Sequence, residues 1–129
     1  MNFQEFVKAL PEGLVYAPIY AKGTRMLSGK PATGKNPLEA SYEQKFGPAD
    51  VALAVQRNSD LKAVGVFTGI RGNGIVILDV DRNLSKYLKA WGSSLDNAPI
   101  ITSTKANAAK YLFRVPEELW ADVKGHGLR

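Results

Sequence analysis

The chain has no cysteine, a single histidine and no long apolar run, and each absence removes a class of chemistry. Without cysteine there is neither a disulfide framework nor a thiolate metal site. The one histidine, His126, lies between two glycines. A surface residue is expected there, which sets aside Ser/His/Asp and Cys/His catalysis. Apolar runs such as Gly74 to Leu78 are far too short to span a bilayer. The opening Met-Asn-Phe-Gln-Glu lacks the basic-then-apolar layout of a signal peptide. A cytoplasmic setting with no membrane partner is therefore expected.

The 129 residues suit one domain, and 45% apolar with 22% charged residues is an ordinary globular balance. Seventeen Lys+Arg against twelve Asp+Glu give a formal charge of +5. The surplus is clustered. From Tyr20 to Asn36 the chain carries Lys22, Arg25, Lys30 and Lys35 with no acid, and from Ile100 to Val115 it carries Lys105, Lys110 and Arg114, again with none. Clustered cations favour a polyanionic partner, because each phosphate neutralised releases counterions.

Phe3, Phe6, Val7 and Leu10 recur at helical spacing, so residues 2–10 read as an amphipathic helix stopped by Pro11. Leu14 to Tyr20 reads as a strand and residues 21–37 as a long basic loop. A second helix is expected over Asp50 to Arg57, after Pro48. Val64–Thr68 and Ile75–Asp81 are β-rich, and the Asn73-Gly74 turn between them predicts an antiparallel hairpin. Leu84, Leu88 and Trp91 mark a third helix ending near Gly92. Ile100–Thr104 and Lys110–Val115 form a second strand pair, and Pro116 opens a short helix through Val123. The expected fold is a single α+β domain with a largely antiparallel sheet flanked by helices.

The chemically distinctive stretch is Gly74-Ile-Val-Ile-Leu-Asp-Val-Asp81. Strand residues two apart share a face, so Asp79 and Asp81 are expected to project together. Adjacent carboxylates repel unless a cation is present, and Mg²⁺ or Mn²⁺ commonly binds one or two carboxylates plus substrate phosphates. Polymerases and primases use such pairs; nucleotide-sugar transferases use a strand-terminal Asp-x-Asp as well. Gly29-Lys-Pro-Ala-Thr-Gly-Lys35 fits G-x-x-x-x-G-K, but Asn36 stands where Ser or Thr should be and Pro37 follows. It reads as a basic loop rather than a phosphate loop.

Gly29-Lys30-Pro31, Gly65-Val-Phe-Thr-Gly69, the Asp79-Val-Asp81 strand, Thr102-Ser103 and Tyr111-Leu-Phe-Arg-Val-Pro116 occur in an order and spacing of one kind. Together they resemble the N-terminal domain of bifunctional DNA primase-polymerases, in the archaeo-eukaryotic primase superfamily of phage, plasmid and bacterial replication proteins. The likeness runs from about residue 14 to residue 124. It implies a primase-polymerase type core and a DNA primase or polymerase activity. That activity is metal-dependent nucleotidyl transfer from a (d)NTP to a nucleic-acid 3′-hydroxyl. Carried over, Asp79 and Asp81 would be catalytic and hold Mg²⁺ or Mn²⁺. Ser103, Lys105 and Lys110 would contact nucleotide phosphates, and Lys30, Lys35 and Arg71 would steer template or primer nucleic acid. A helicase domain or subunit is the further partner the resemblance implies.

Two departures matter. The family's second motif carries glycines and a His, whereas Lys110 stands where that His would fall. Its third acidic motif, a downstream strand carboxylate, has no counterpart; Glu117, Glu118 and Asp122 fall on a short helix. An incomplete domain is therefore expected, with a catalytically incomplete nucleic-acid- or nucleotide-binding module as the alternative reading.

Overall fold

The computed structural model describes residues 1–95, 98, 100–102 and 106–123. The class is α+β, and every described ladder is antiparallel. The strands form two small sheets rather than one. The chain divides into two compact units, Met1–Phe67 with Arg71–Asn73 and Thr68–Ile70 with Gly74–Arg129.

In the first unit, helix α1 (Phe3–Lys8) begins at Asn2 through a reciprocal cap. The Asn2 side chain accepts from the Glu5 N–H at 2.9 Å, and the Glu5 carboxylate accepts from the Asn2 N–H at 3.1 Å. Two of the donors that a helix start leaves open are thereby satisfied. Helix α2 (Pro48–Arg57) starts on Pro48, whose fixed φ suits the first helical position, and Asp50 accepts from the Gly47 N–H at 2.8 Å. Strands β1 (Tyr16–Tyr20) and β2 (Leu61–Val66) pair with Tyr16 opposite Val66. The register slips between Ile19 and Tyr20, so that Lys62 has no opposite number. Val7, Val51, Val55, Tyr16, Tyr20, Phe46 and Leu61 bury together as the core. Each fully buried aliphatic side chain there contributes about 1.5–3 kcal/mol.

The second unit contains β3 (Ile75–Val80), α3 (Leu84–Leu95), β4 (Ile100–Thr102) and β5 (Ala109–Arg114). A 3₁₀ turn over Glu117–Leu119 runs into the short helix α4 (Trp120–Val123). Strand β5 is central, in the order β3-β5-β4. Ala109 and Tyr111 form a small core with Leu78, Leu84 and Ala98. The C-terminal turn is tied to the start of β3: the Trp120 indole donates to the Val115 carbonyl at 2.8 Å, and the Val115 N–H donates to the Gly74 carbonyl at 2.9 Å.

The expected hairpin between Val64–Thr68 and Ile75–Asp81 does not form. β2 pairs with β1 and β3 with β5. The intervening turn closes on itself: the Gly74 N–H donates to the Gly69 carbonyl and the Gly69 N–H to the Ile75 carbonyl, both at 2.8 Å. Asn73 and Gly74 do take positive φ, at 59° and 83°. Their turn yields only one bridge, Gly69 to Ile75, before the strands part to other partners.

Candidate metal and nucleotide site

The β3–β5 register places Asp79 directly opposite Lys110, with Ile77 opposite Leu112 and Ile75 opposite Arg114. Opposite residues in an antiparallel pair share a face. The pleat therefore gathers Asp79, Lys110 and Arg114 on one side of the sheet. Tyr111, Ala109 and Leu78 lie on the other side, in the small core. The Lys110 ammonium reaches the Asp79 carboxylate at 3.2 Å, with both side chains about half exposed. Asp81 is exposed and follows Val80, the last ladder residue, so the pleat no longer dictates its direction. An open cleft of about 280 Å³ is lined by Leu78, Asp79, Val80, Asp81, Arg82 and Asn83.

Asp79 and Asp81 are the described carboxylates of this cleft that could hold a hard divalent cation. Exposed carboxylate oxygens at a strand end match Mg²⁺ or Mn²⁺ held by one or two carboxylates and completed by substrate phosphates. Among the described residues no group of three His, Cys, Asp or Glu comes together. The ion would thus share Asp79 with Lys110. Glu117, Glu118 and Asp122 lie in the C-terminal 3₁₀ turn and α4, all exposed, as the sequence suggested. Ser103 and Lys105 lie outside the described residues.

The other predicted contacts belong to the first unit. Lys30 and Lys35 are exposed on the basic loop. No helix starts at Lys35 or Asn36, and only a 3₁₀ turn follows, at Glu39–Tyr42; the Thr33 N–H and hydroxyl donate to the Asn36 side-chain oxygen at 2.7 and 3.0 Å instead. Arg71 is folded onto its own unit. Its guanidinium donates to the Ser41 carbonyl and lies 4.9 Å over the Phe67 ring, and its Nε is buried without a hydrogen-bond partner.

Sequence reasoning missed a second ionisable pair. The Tyr20 hydroxyl, on a side chain only 1% exposed, donates to Glu39 Oε1 at 2.7 Å. Burial, followed by the hydrogen bond and negative charge of Glu39, pushes Tyr20 up to about 12. Burial alone would raise the Glu39 carboxyl. The Tyr20 hydroxyl and the nearby backbone amides of Glu39, Leu27 and Ser28 outweigh it and hold that carboxyl below its ordinary value. Glu39 Oε2 itself is buried with no well-formed hydrogen bond, so the amides act mainly as local positive dipoles. Nothing in a one-dimensional pattern marks this pair, because its members are 19 positions apart.

The same approach also missed the contact between Lys110 and Asp79, which depends on a strand register that no local motif encodes. Comparison of the chain with protein-family models, curated proteins and solved structures finds no match.

Proposed function

We propose that the chain is a primase-polymerase type domain that binds a nucleoside triphosphate and transfers a nucleotide to a nucleic-acid 3′-hydroxyl. The observation that carries the reading is the pair formed by Asp79 and Lys110 across the β3–β5 ladder, beside the cleft that also holds Asp81. An acid able to hold a divalent ion and a base able to meet phosphate oxygens stand within one contact distance. Asp79 and Asp81 would hold Mg²⁺ or Mn²⁺, and Lys110 would meet the triphosphate as a point charge. The bound ion supplies positive charge for the phosphoryl oxygens during transfer. Lys30 and Lys35 supply phosphate contacts for a template or primer, while Arg71 is already committed to the Ser41 carbonyl. A helicase partner and a cytoplasmic replication setting belong to the same reading. Among the described residues no helix is long and apolar enough to cross a membrane.

The test is incorporation of labelled dNTP onto a primed template in the presence of Mn²⁺. Asp79→Ala should lower incorporation by at least about 100-fold. Equal activity in that variant would sink the proposal.

One observation favours a second reading. Lys110 already neutralises Asp79, so the domain needs no metal to be stable and could bind nucleic acid or nucleotide without catalysis. That reading expects salt-sensitive single-strand binding that persists in EDTA, and no primer extension.

A further inference from the structure

Residues 23–32 of the basic loop form a small, tightly braced arm. The Ala32 N–H donates to the Thr24 carbonyl at 2.7 Å, the Gly23 N–H to the Ala32 carbonyl at 2.8 Å, and the Met26 N–H to the Lys30 carbonyl at 3.0 Å. Arg25 and Pro31 form an antiparallel bridge. The tip closes through the Gly29 N–H on the Met26 carbonyl at 2.9 Å, and the Arg25 guanidinium donates to the Gly29 carbonyl at 3.1 Å. At the root, Ala32 is 4% exposed within the core and Met26 packs against it. Leu27, by contrast, projects at the tip and is 79% exposed. Arg25 and Lys30 on the arm and Lys22 and Lys35 flanking it in sequence are exposed, with no acid between Lys22 and Leu38.

A braced arm loses little conformational entropy on binding. Its cations specify a polyanion, and its tip offers one apolar side chain to that polyanion. We propose that this arm is a single-stranded nucleic-acid contact: the lysines take phosphates and Leu27 packs against an unstacked base. Magnitudes choose the partner. Covering one leucine does not offset the opening of a stacked step of a duplex. Bases that are already unstacked present their faces at no such cost. A lipid surface is disfavoured by the same arithmetic, since even a whole myristoyl chain gives only marginal membrane binding. The inference rests on the nucleic-acid partner and the Lys30 and Lys35 contacts of the proposed function, adds Leu27 to them, and requires neither aspartate.

The experiment is fluorescence anisotropy of a labelled mixed-sequence oligonucleotide, titrated with the purified chain across a salt series. EDTA is present throughout, so the metal site is silent. The wild-type chain should bind with a strong inverse salt dependence. The Lys30→Ala/Lys35→Ala variant should weaken binding and flatten the log–log salt slope by about 1.4, at about 0.7 per phosphate contact for single strands. Leu27→Ala should weaken binding about fivefold with the slope unchanged, and Leu27→Trp should restore it with quenching of the new indole. The proposal is overturned if Leu27→Ala binds like wild type, or if the double lysine variant keeps the full slope. Tighter binding to duplex, or Leu27-dependent binding to phosphatidylserine vesicles without oligonucleotide binding, would also overturn it. None of these outcomes bears on Asp79, whose role is judged by primer extension.

Discussion

Substituting alanine for Gly74 should loosen the second unit more than any other glycine-to-alanine change considered for this chain. Gly74 has φ +83°, and a Cβ built there would lie 2.6 Å from both the Val115 carbonyl oxygen and Trp120 Nε1. Those two atoms are hydrogen-bonded to each other, so neither can move without breaking the tie between β3 and the C-terminal turn. Two costs add. Left-handed backbone costs a residue with a Cβ about 1–2 kcal/mol. Forcing a methyl into a filled site costs about 1–3 kcal/mol. Reduced freedom of the unfolded chain returns under about 1 kcal/mol, leaving a net loss of about 2–4 kcal/mol.

Two other glycines separate the contributions. Gly29 has φ +85° with nothing within 4 Å of the built Cβ, so Gly29→Ala should show the backbone cost alone, about 1–2 kcal/mol. Gly65 lacks positive φ, and its nearest neighbour, Ile19 Cδ1, stands at an ordinary 3.5 Å; Gly65→Ala should stay within about 1 kcal/mol of wild type. Both tryptophans of the chain, Trp91 and Trp120, belong to the second unit. Urea unfolding followed by tryptophan emission therefore reads Gly74→Ala, and far-UV circular dichroism reads all three. A Gly74→Ala midpoint equal to wild type, or a Gly65→Ala loss as large as that of Gly74→Ala, would refute the reasoning.

Three further outcomes are expected. Lys110→Met removes the ammonium that shares Asp79; at a few ångströms in a water-like dielectric it is worth about 1 kcal/mol, so Mn²⁺ affinity by electron paramagnetic resonance should rise about threefold to fivefold while triphosphate affinity falls. An unchanged Mn²⁺ affinity would show that the ammonium does not compete. Glu39→Gln should destabilise the first unit by about 1–2 kcal/mol at neutral pH through loss of a charged hydrogen bond. Because the folded Glu39 carboxyl lies below its ordinary value of 4.5, its stabilisation is complete above that value and fades as pH falls through the lower folded one. The gap between wild type and Glu39→Gln should therefore close on acidification, and a gap that widens would contradict the assigned direction. Asn2→Ala removes one side of the α1 cap and should cost about 1 kcal/mol in thermal unfolding.

Features with local causes were legible in the sequence. The α1 stripe, Pro48 opening α2, the apolar run that becomes β3 and the alternation along β5 all follow from spacing over one or two turns. Val7, Val51 and Val55 are buried as their helical positions required, whereas Phe6 of the α1 stripe is exposed and Ala54 of α2 only partly buried. What could not be read was pairing. The Asn73-Gly74 signal correctly demanded positive φ but could not say that β2 would be claimed by β1, whose ladder partners lie about forty positions earlier. Long-range pairing is fixed by burial of whole faces, to which a local turn adds little. The same limit hid the meeting of Lys110 with Asp79, whereas the candidate carboxylates themselves were visible from composition alone. Arg71 illustrates the opposite error of scale: in sequence it is a cation in a glycine-rich turn, and in the fold its guanidinium is held by the Ser41 carbonyl and the Phe67 ring.

Asp79 also bears on how the chain folds, with no ligand involved. Among the described strands β3 is laddered only to β5, which is synthesised some thirty residues later. During that interval Ile75–Val80 is an apolar, β-branched segment without its partner, the composition from which intermolecular sheets nucleate. A carboxylate one residue from its end is a gatekeeper that discourages stacking of like strands. The residue opposite it in the native ladder, Lys110, then converts that repulsion into attraction for β5 alone. The pair thus acts first as an address label that lets the emerging chain recognise its own β5 and refuse its neighbours'.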